Sequence, residues 1–194
     1  MNGFLIKKDS HYPSNIIQRL NPGRILLNPA NLEFDFTFSH ASQYAPKGLW
    51  WERRKESYYY PLLEQINKLG GISFDLINKN SARIGFRYNW ETNRFYVYAY
   101  FHINGDIHYS EDSMFMVGMN ERFTAQIVAN REQILVQIHN NKGETKVLDI
   151  IENTFDKSLF GYIQYPYFGG KIPAPNGIKL NVDNFKVDGR QKIL

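Results

Sequence analysis

The longest alternating run in the sequence is RFYVYAYFHI, residues 94–103. Its odd-numbered positions are all apolar, whereas its even-numbered positions carry Tyr96, Tyr98, Tyr100 and His102. Because strand side chains alternate between the two faces of a sheet, this pattern predicts a strand with one apolar core face and one polar face. The Asn104-Gly105 pair that follows is the strongest short-range signal for a β-hairpin. The run therefore predicts a half-buried strand that turns back on itself.

The same period of two recurs along the chain. Residues 32–38 place three phenylalanines on one face, and residues 82–89 alternate apolar side chains with Arg83, Gly85 and Arg87. Further strands are predicted at 24–28, 71–77, 114–118, 122–129, 132–139, 145–151, 159–168 and 177–187. Only residues 62–69, between Pro61 and Gly70-Gly71, have a helical pattern. About eleven short strands with at most one short helix predict an all-β fold, a two-sheet antiparallel β-sandwich of the jelly-roll kind.

Composition excludes several classes of protein. The 194 residues include 23 Lys+Arg and 19 Asp+Glu, and the net charge of +4 is spread along the chain, which argues against a nucleic-acid partner. The absence of cysteine excludes disulfide scaffolds and thiolate chemistry. No apolar run is long enough for a membrane span, and the N-terminus lacks the pattern of a secretory signal. The sequence predicts one β-sandwich domain over 23–194, preceded by an N-terminal arm over 1–22.

A long irregular stretch, residues 39–61, carries six aromatic side chains, and five of them cluster in its second half: Trp50, Trp51, Tyr58, Tyr59 and Tyr60. A loop of this length in a compact domain is usually functional or disordered, and its aromatic content argues against disorder. Exposed together, these rings would form a larger apolar patch than soluble monomers usually show. They are therefore predicted to form an interface with a neighbouring subunit.

Strand parity also predicts a ligand-binding face. Its members stand opposite apolar neighbours on three strands, and they are Tyr96, Tyr98, Tyr100, Arg83, Arg87, Gln137 and His139. Tyrosine rings suit sugar C–H groups, and guanidinium groups bind carboxylates in a bidentate manner. The alternatives are a tyrosine face covered by another layer, arginines in ordinary surface ion pairs, and a structural histidine. The composition suits an acidic polysaccharide or the carboxylates of a partner protein.

Several catalytic signatures are missing from the sequence. There is no nucleophile elbow, no phosphate-binding glycine loop and no pair of carboxylates arranged for glycoside hydrolysis. His102, Asp106 and His108 flank the Asn104-Gly105 turn, but this spacing alone is weakly specific for a metal site. No metal or cofactor is therefore predicted.

Four stretches resemble the concanavalin A-like lectin/glucanase jelly rolls, and more narrowly domains of gut bacteria and their phages. They are 66–72, 80–87, 96–105 and 165–175, with Tyr165-Pro166-Tyr167-Phe168-Gly169-Gly170 in the last. The resemblance implies a jelly-roll fold. It implies little about the ligand, because this superfamily includes lectins, hydrolases, lyases and structural domains.

The sequence is also similar in part to the family-7 polysaccharide lyases. Arg83-x-Gly85-x-Arg87 keeps the spacing of that family's arginine strand with Gly85 in place of a glutamate, and Gln137-Ile138-His139 matches its Gln-Ile-His strand. The resemblance implies that Arg83, Gln137, His139 and Tyr165, or Tyr162 in its place, would carry a lyase reaction on uronate polymers.

The leading prediction is a non-enzymatic, lectin-like binding or assembly module, most economically a phage virion component of the head or tail. Such a protein is made in the host cytoplasm and released by lysis, which agrees with the lack of both a signal peptide and cysteine. Its predicted partners are neighbouring virion proteins, a second copy of itself or a glycan. A polysaccharide lyase and an intracellular carbohydrate-binding protein are the alternatives.

Overall fold

The computed structural model of the protein describes residues 3–12, 24–27, 30–44, 67–89, 92–110, 112–155, 159–168, 174 and 177–192. Within these residues the strands are β1 (Gly3–Ile6), β2 (Ile25–Leu27), β3 (Leu32–Thr37), β4 (Asn67–Ser73), β5 (Ser81–Asn89), β6 (Arg94–Ile103), β7 (Asp106–Tyr109), β8 (Phe115–Val117), β9 (Arg122–Ala129), β10 (Gln133–Asn140), β11 (Thr145–Glu152), β12 (Phe160–Gln164), β13 (Ile178–Val187) and β14 (Arg190–Gln191). The helical content of this described part is a single 3-10 turn, His40–Ser42. None of its helices is long and apolar enough to cross a membrane.

The strands form two antiparallel sheets. Sheet A has the order β1-β13-β3-β9-β10-β11, with β14 paired to β13. Sheet B has the order β2-β12-β4-β5-β6-β7, with β8 paired to β6. The predicted two-sheet antiparallel sandwich is therefore confirmed.

The core lies between the sheets and is built by strict alternation. On β3 of sheet A, Phe34 and Phe36 are fully buried while Glu33 and Asp35 face outward. On β6 of sheet B the apolar odd-numbered positions face the same core. The rings of Phe38 and Phe95 stack with centroids 4.1 Å apart and join the two sheets. The inner faces thus belong to the core, and the outer faces are free for other side chains.

The predicted hairpin after β6 is confirmed. β6 and β7 pair antiparallel across a two-residue turn, with Ile103 opposite Asp106. Asn104 has φ 55° and Gly105 has φ 96°, as the tight turn favoured in hairpins requires.

The predicted helix over 62–69 is wrong at its described end. Residues Asn67–Leu69 belong to β4, which is buried on both faces and therefore lacks an alternating pattern. Gly70-Gly71 continues this strand, and at Gly71 a Cβ would clash with the carbonyl oxygen of Ala82 on the neighbouring strand. The glycine that looked like a helix stop is a site of close strand approach. Residues 62–66 lie outside the described part of the chain.

Part of the predicted N-terminal arm belongs to the sandwich. β1 is the edge strand of sheet A and pairs with β13, from Gly3 opposite Asn181 to Ile6 opposite Ile178. The chain then leaves this sheet, and the backbone of residues 9–11 forms hydrogen bonds with the backbone of Phe168 and Ala174. The domain boundary at residue 22 stays a prediction.

Candidate functional site on the outer face of sheet B

Strand register gathers polar side chains on the outer face of sheet B. Residues directly opposite each other in antiparallel strands share a face, and Gln164, Gly71, Arg83 and Tyr100 form one such row across β12, β4, β5 and β6. A Cβ at Gly71 would lie 2.7 Å from Cγ of Arg83. The arginine therefore extends over the glycine, and only the missing side chain leaves room for it.

Arg83 is the most unusual residue of this face. It is only 8% exposed, and its Nη2 donates a 2.7 Å hydrogen bond to Oδ1 of Asn78. Its Nε has no hydrogen-bond partner, and no carboxylate of the described residues forms an ion pair with it. Burial lowers the pKa of Arg83, and the groups that oppose this are tyrosines, first Tyr100 and Tyr162. A positive charge is thus buried among phenol rings.

A second cation lies beside it. Lys68 on β4 is 4% exposed, and its Nζ lies 4.4 Å from the centroid of the Tyr100 ring and 5.6 Å from that of Tyr167. Burial, and then the charge of Arg83, lower the pKa of Lys68 to about 7. The site therefore concentrates positive potential at low exposure.

Next to this row, Tyr100 forms a hydrogen-bonded pair with a second titratable side chain, His102. The hydroxyl of Tyr100 lies 3.3 Å from Nε2 of His102, two residues along β6. Burial, followed by the charge of Arg83, lowers the pKa of His102 to about 4, so its ring is neutral near pH 7. Burial raises the pKa of Tyr100 to about 12. A neutral imidazole and a neutral phenol therefore stand next to a buried cation.

The N-terminal segment forms one wall of the site. The ring of His11 stacks on Tyr167 with centroids 5.5 Å apart, and Tyr12 meets the same ring edge-on at 4.9 Å. Nδ1 of His11 also lies 2.8 Å from the carbonyl oxygen of Phe168. Residues from the predicted arm thus contribute aromatic surface beside Lys68.

The predicted tyrosine face is placed as strand parity requires, but it is not an open platform. Tyr98 and Tyr100 are 1% and 2% exposed, and only Tyr96 is partly accessible. Arg87 lies on the same face, opposite Tyr96, and is half-buried. Of the three rings, Tyr100 is therefore the one that forms a buried wall beside Arg83.

Gln137 and His139 do not join this face, and the prediction that they do is wrong. Both lie on β10 in sheet A, on the far side of the core from Arg83. Nε2 of Gln137 donates a 2.7 Å hydrogen bond to Gln126, and His139 contacts Thr145 and Gln126. Parity identified the outward side of the strand correctly, but not the sheet to which the strand belongs.

Tyr165 also lies apart from Arg83. Its ring packs 5.7 Å from that of Phe4, and the guanidinium of Arg24 stacks on it at 4.2 Å. The set Arg83, Gln137, His139 and Tyr165 implied by the lyase resemblance is therefore not assembled. Tyr162, the alternative tyrosine, is on the outer face of sheet B, opposite Ser73.

The predicted interface residues Trp50, Trp51, Tyr58, Tyr59 and Tyr60 lie outside the described part of the chain. His102 and His108 do not converge, because His108 is opposite Phe101 and thus has the other parity. No group of three or more His, Asp or Glu side chains in the described ranges is arranged to hold a metal ion.

The outer face of sheet A has a different electrostatic character. Nζ of Lys186 lies 2.6 Å from a carboxylate oxygen of Glu33, and Arg122 pairs with Asp35. The hydrogen bond from Lys186 lowers the pKa of Glu33. The carboxylates of Glu33 and Asp35 on this sheet are therefore neutralised by cationic partners, whereas Arg83 on the other sheet has no such partner among the described carboxylates.

Besides the wall residues His11, Tyr12 and Tyr167, the sequence analysis misses four members of the site. It assigns Lys68 to a helix, places His102 on the tyrosine side of its strand but weighs it only as a metal ligand, and singles out neither Asn78 nor Gln164. A visible signal existed for His102, which continues the outward set of β6. No local pattern marks the other three, because their proximity depends on the pairing of β12, β4 and β5.

The sequence matches no model of a known protein family and no curated protein. Solved structures share its fold. An alginate lyase from Klebsiella pneumoniae aligns over 81% of this chain and 59% of its own, with a TM-score of 0.54 and 14% identity. A functionally unknown protein from Saccharomyces cerevisiae aligns over 84% and 70%, with a TM-score of 0.53 and 10% identity.

The Bacteroides ovatus protein described as xyloglucan PUL GH43B aligns over 81% of this chain but only 27% of its own, with a TM-score of 0.50 and 8% identity. This chain thus spans less than two thirds of two of the three similar structures. At these identities the likeness supports the jelly-roll sandwich fold alone.

Proposed function

We propose that the outer face of sheet B binds a carboxylate-bearing carbohydrate. The observation that carries this proposal is Arg83, a buried guanidinium with an unpartnered Nε and no carboxylate among the described residues to neutralise it. Burying an unpaired charge is costly, so a chain retains one where a ligand supplies the opposite charge. Lys68, placed beside the same rings, adds to the attraction for an anion.

The tyrosines favour a sugar over a simple anion. Tyr100 forms a flat wall next to Arg83, and Tyr162 is close enough to Arg83 to raise the pKa of its guanidinium. Aromatic walls with a few convergent polar groups are typical of ligand sites. The alginate lyase among the similar structures supports this choice by analogy of fold only.

The test is binding of uronate polymers, alginate and polygalacturonate, with neutral dextran for comparison, measured by calorimetry. The wild type should bind a uronate polymer and ignore dextran. Arg83→Met should weaken binding by about 10- to 100-fold, the loss of a hydrogen bond to a charged group. Arg94→Met, at an exposed position of the same sheet, is the matched control. Equal affinity of the two variants for the polymer would refute the proposal.

A lyase reaction at the same face is the second candidate, favoured by the contact between Tyr100 and His102 beside Arg83. In such a reaction a base removes the proton α to the uronate carboxylate, and Arg83 stabilises the resulting anion. The bond to the leaving sugar oxygen then breaks, an acid protonates that oxygen, and a C=C bond remains. Neutral His102 suits the base, and the Tyr100 hydroxyl suits the acid.

Ultraviolet absorbance of the new double bond measures this reaction directly. Turnover that is lost in both His102→Gln and Tyr100→Phe, with binding retained, would establish the lyase. Binding without any rise in absorbance would leave a non-enzymatic, lectin-like module.

We also propose the assembly role inferred from the sequence, with neighbouring virion proteins or a second copy as partners. The absence of cysteine and the aromatic stretch 50–60 support it. We further propose a location in the virion, or otherwise in the cytoplasm, and a relationship to domains of gut bacteria and their phages. Light scattering of the wild type and of a variant with Trp50→Ser and Trp51→Ser tests it: a monomer in both cases would refute self-assembly.

A further inference from the structure

One side-chain atom connects two strands of the site that are not neighbours. Oδ1 of Asn78 accepts a 2.7 Å hydrogen bond from Nη2 of Arg83 on β5, and it accepts a second from Nε2 of Gln164 on β12. β4 lies between these strands, and Gly71 on β4 leaves the space above it open. Asn78 therefore links Arg83 and Gln164 across an intervening strand.

The chemistry of arginine determines the orientation of both amides. A guanidinium has donors only, so Asn78 must present its oxygen to Arg83. That oxygen also accepts a hydrogen bond from Gln164, so Gln164 must present its amide nitrogen to Asn78. The Oε1 of Gln164 is left without a partner in the described structure, as is Nε of Arg83. A buried donor and a buried acceptor thus remain unused at the two ends of this link.

We propose that Asn78 is a positioning residue that gives the site its polarity. It holds the Arg83 donor and the Gln164 acceptor so that one ligand can accept from the first and donate to the second. An anionic group with a neighbouring hydroxyl has this complementarity. The inference rests on the proposed function and deepens it, because it assigns a residue that selects how the ligand is oriented.

The loop that carries Asn78 is built to hold it in place. The carboxylate of Asp75 accepts hydrogen bonds from the backbone N–H groups of Ile77, Lys79 and Asn80, at 2.9, 3.0 and 2.7 Å. Asn78 itself has φ 60°, a left-handed conformation that asparagine tolerates and most residues do not. The loop therefore fixes the backbone from which the Asn78 side chain reaches Arg83 and Gln164.

Two substitutions separate positioning from structural support. Asn78→Gly removes the side chain and keeps the backbone conformation, because glycine accepts positive φ freely. Asn78→Asp keeps both acceptor contacts and adds a negative charge beside Arg83. Asn120→Gly is the matched control, since Asn120 has φ 61° in an exposed turn between β8 and β9.

Calorimetry with alginate and polygalacturonate oligomers, together with thermal unfolding, gives the expected pattern. Asn78→Gly should weaken binding roughly tenfold or more, because Arg83 and Gln164 lose the acceptor that orients them. Asn78→Asp should weaken it by a similar factor, because the added carboxylate neutralises Arg83 and repels an anionic ligand. Asn78→Asp should at the same time raise the melting temperature, since it neutralises Arg83. A purely structural residue would move affinity and stability in the same direction. Asn120→Gly should leave affinity unchanged.

The failures are distinguishable. If the wild type binds the oligomers and both Asn78 variants bind equally well, the positioning role is wrong and the proposed function stands. If the wild type binds no oligomer, the proposed function fails. The link through Asn78 is then tested by NMR on the side-chain amide resonances of Gln164. A shift of these resonances in Asn78→Gly supports the link between the two strands, and unchanged resonances overturn it.

Discussion

Replacing Arg83 with methionine should make the protein more stable. The guanidinium is 8% exposed, and the described residues offer it one hydrogen bond, to Asn78, and no carboxylate. Burying an ion without a counter-charge costs several kcal/mol, even after local relaxation. Methionine keeps most of the buried stem and removes the charge.

The gain in the free energy of unfolding is the burial cost removed with the charge, less the hydrogen bond that is lost. The hydrogen bond from Arg83 to Asn78 is worth about 1.5–3 kcal/mol because its donor is charged. The Asn78 oxygen is not left unpaired, since Gln164 still donates to it. Removing Arg83 also relieves its repulsion of Lys68. We expect a net stabilisation of about 1–2 kcal/mol, or about 3–6 °C in melting temperature for a chain of this size.

Thermal unfolding followed by circular dichroism, with urea unfolding at neutral pH, measures this effect. Arg94→Met is the control and should change stability by less than about 0.5 kcal/mol, as exposed substitutions usually do. A loss of more than about 2 kcal/mol in Arg83→Met would refute the reasoning, because it would show that the guanidinium stabilises the sandwich. A gain in stability together with lost binding would mark Arg83 as a residue kept for its ligand.

Three further outcomes are expected. The pKa of Lys68 falls from 10.5 to about 7 on folding, so between these pH values the unfolded chain binds one more proton than the folded chain. The free energy of unfolding should therefore rise from about pH 7 to 9, with a slope approaching 1.4 kcal/mol per pH unit. Urea unfolding should show a flatter slope in Lys68→Met, and an unchanged slope would contradict the reasoning. Gly71→Ala should cost about 2–3 kcal/mol by overpacking, because its Cβ would meet β5, whereas Gly177→Ala, with open space around it, should cost far less by the same assay. Phe38→Ala should cost about 3–5 kcal/mol in thermal unfolding, since the buried ring stacks on the buried ring of Phe95 across the sandwich. A loss below about 1 kcal/mol would show that the sheets do not depend on that contact.

The fold was predictable because the strands of this protein obey a local rule. In β3 and β9 buried and less buried side chains alternate regularly. In β6 the apolar side chains face the core as the sequence pattern predicts, while Tyr98 and Tyr100 on its outer face are buried as well. The turn at Asn104-Gly105 needs only two residues with positive φ. Each of these signals is contained within a stretch of about a dozen residues, so it can be recognised without knowledge of distant contacts.

The composition of the site was less predictable, because it depends on strand order. Parity placed Arg83 and Tyr100 on one face correctly, but it cannot tell which sheet a strand joins. Gln137 and His139 therefore point outward as expected, yet on the opposite sheet. The pairing that decides this, β10 with β9 and β9 with β3, is a long-range choice.

Lys68 and Asn78 illustrate a second limit. The strand that carries Lys68 is buried on both faces, so its sequence resembles two turns of a helix as much as a strand. Asn78 reads as an ordinary turn residue, and its role follows only from the meeting of β5 and β12 above Gly71. Tertiary contacts, rather than local preferences, determine both.

The division of β5 and β6 into two sets of alternate residues makes this sandwich a natural scaffold for directed evolution. A library that varies Arg87, Tyr96 and His102 changes side chains of the outer face, whereas Phe86 and Val97 on the same strands belong to the core. Ligand preference can then be selected over many variants while the packing between the sheets stays constant. An engineer can therefore vary the outer-face side chains of β5 and β6 without changing the residues that form the core.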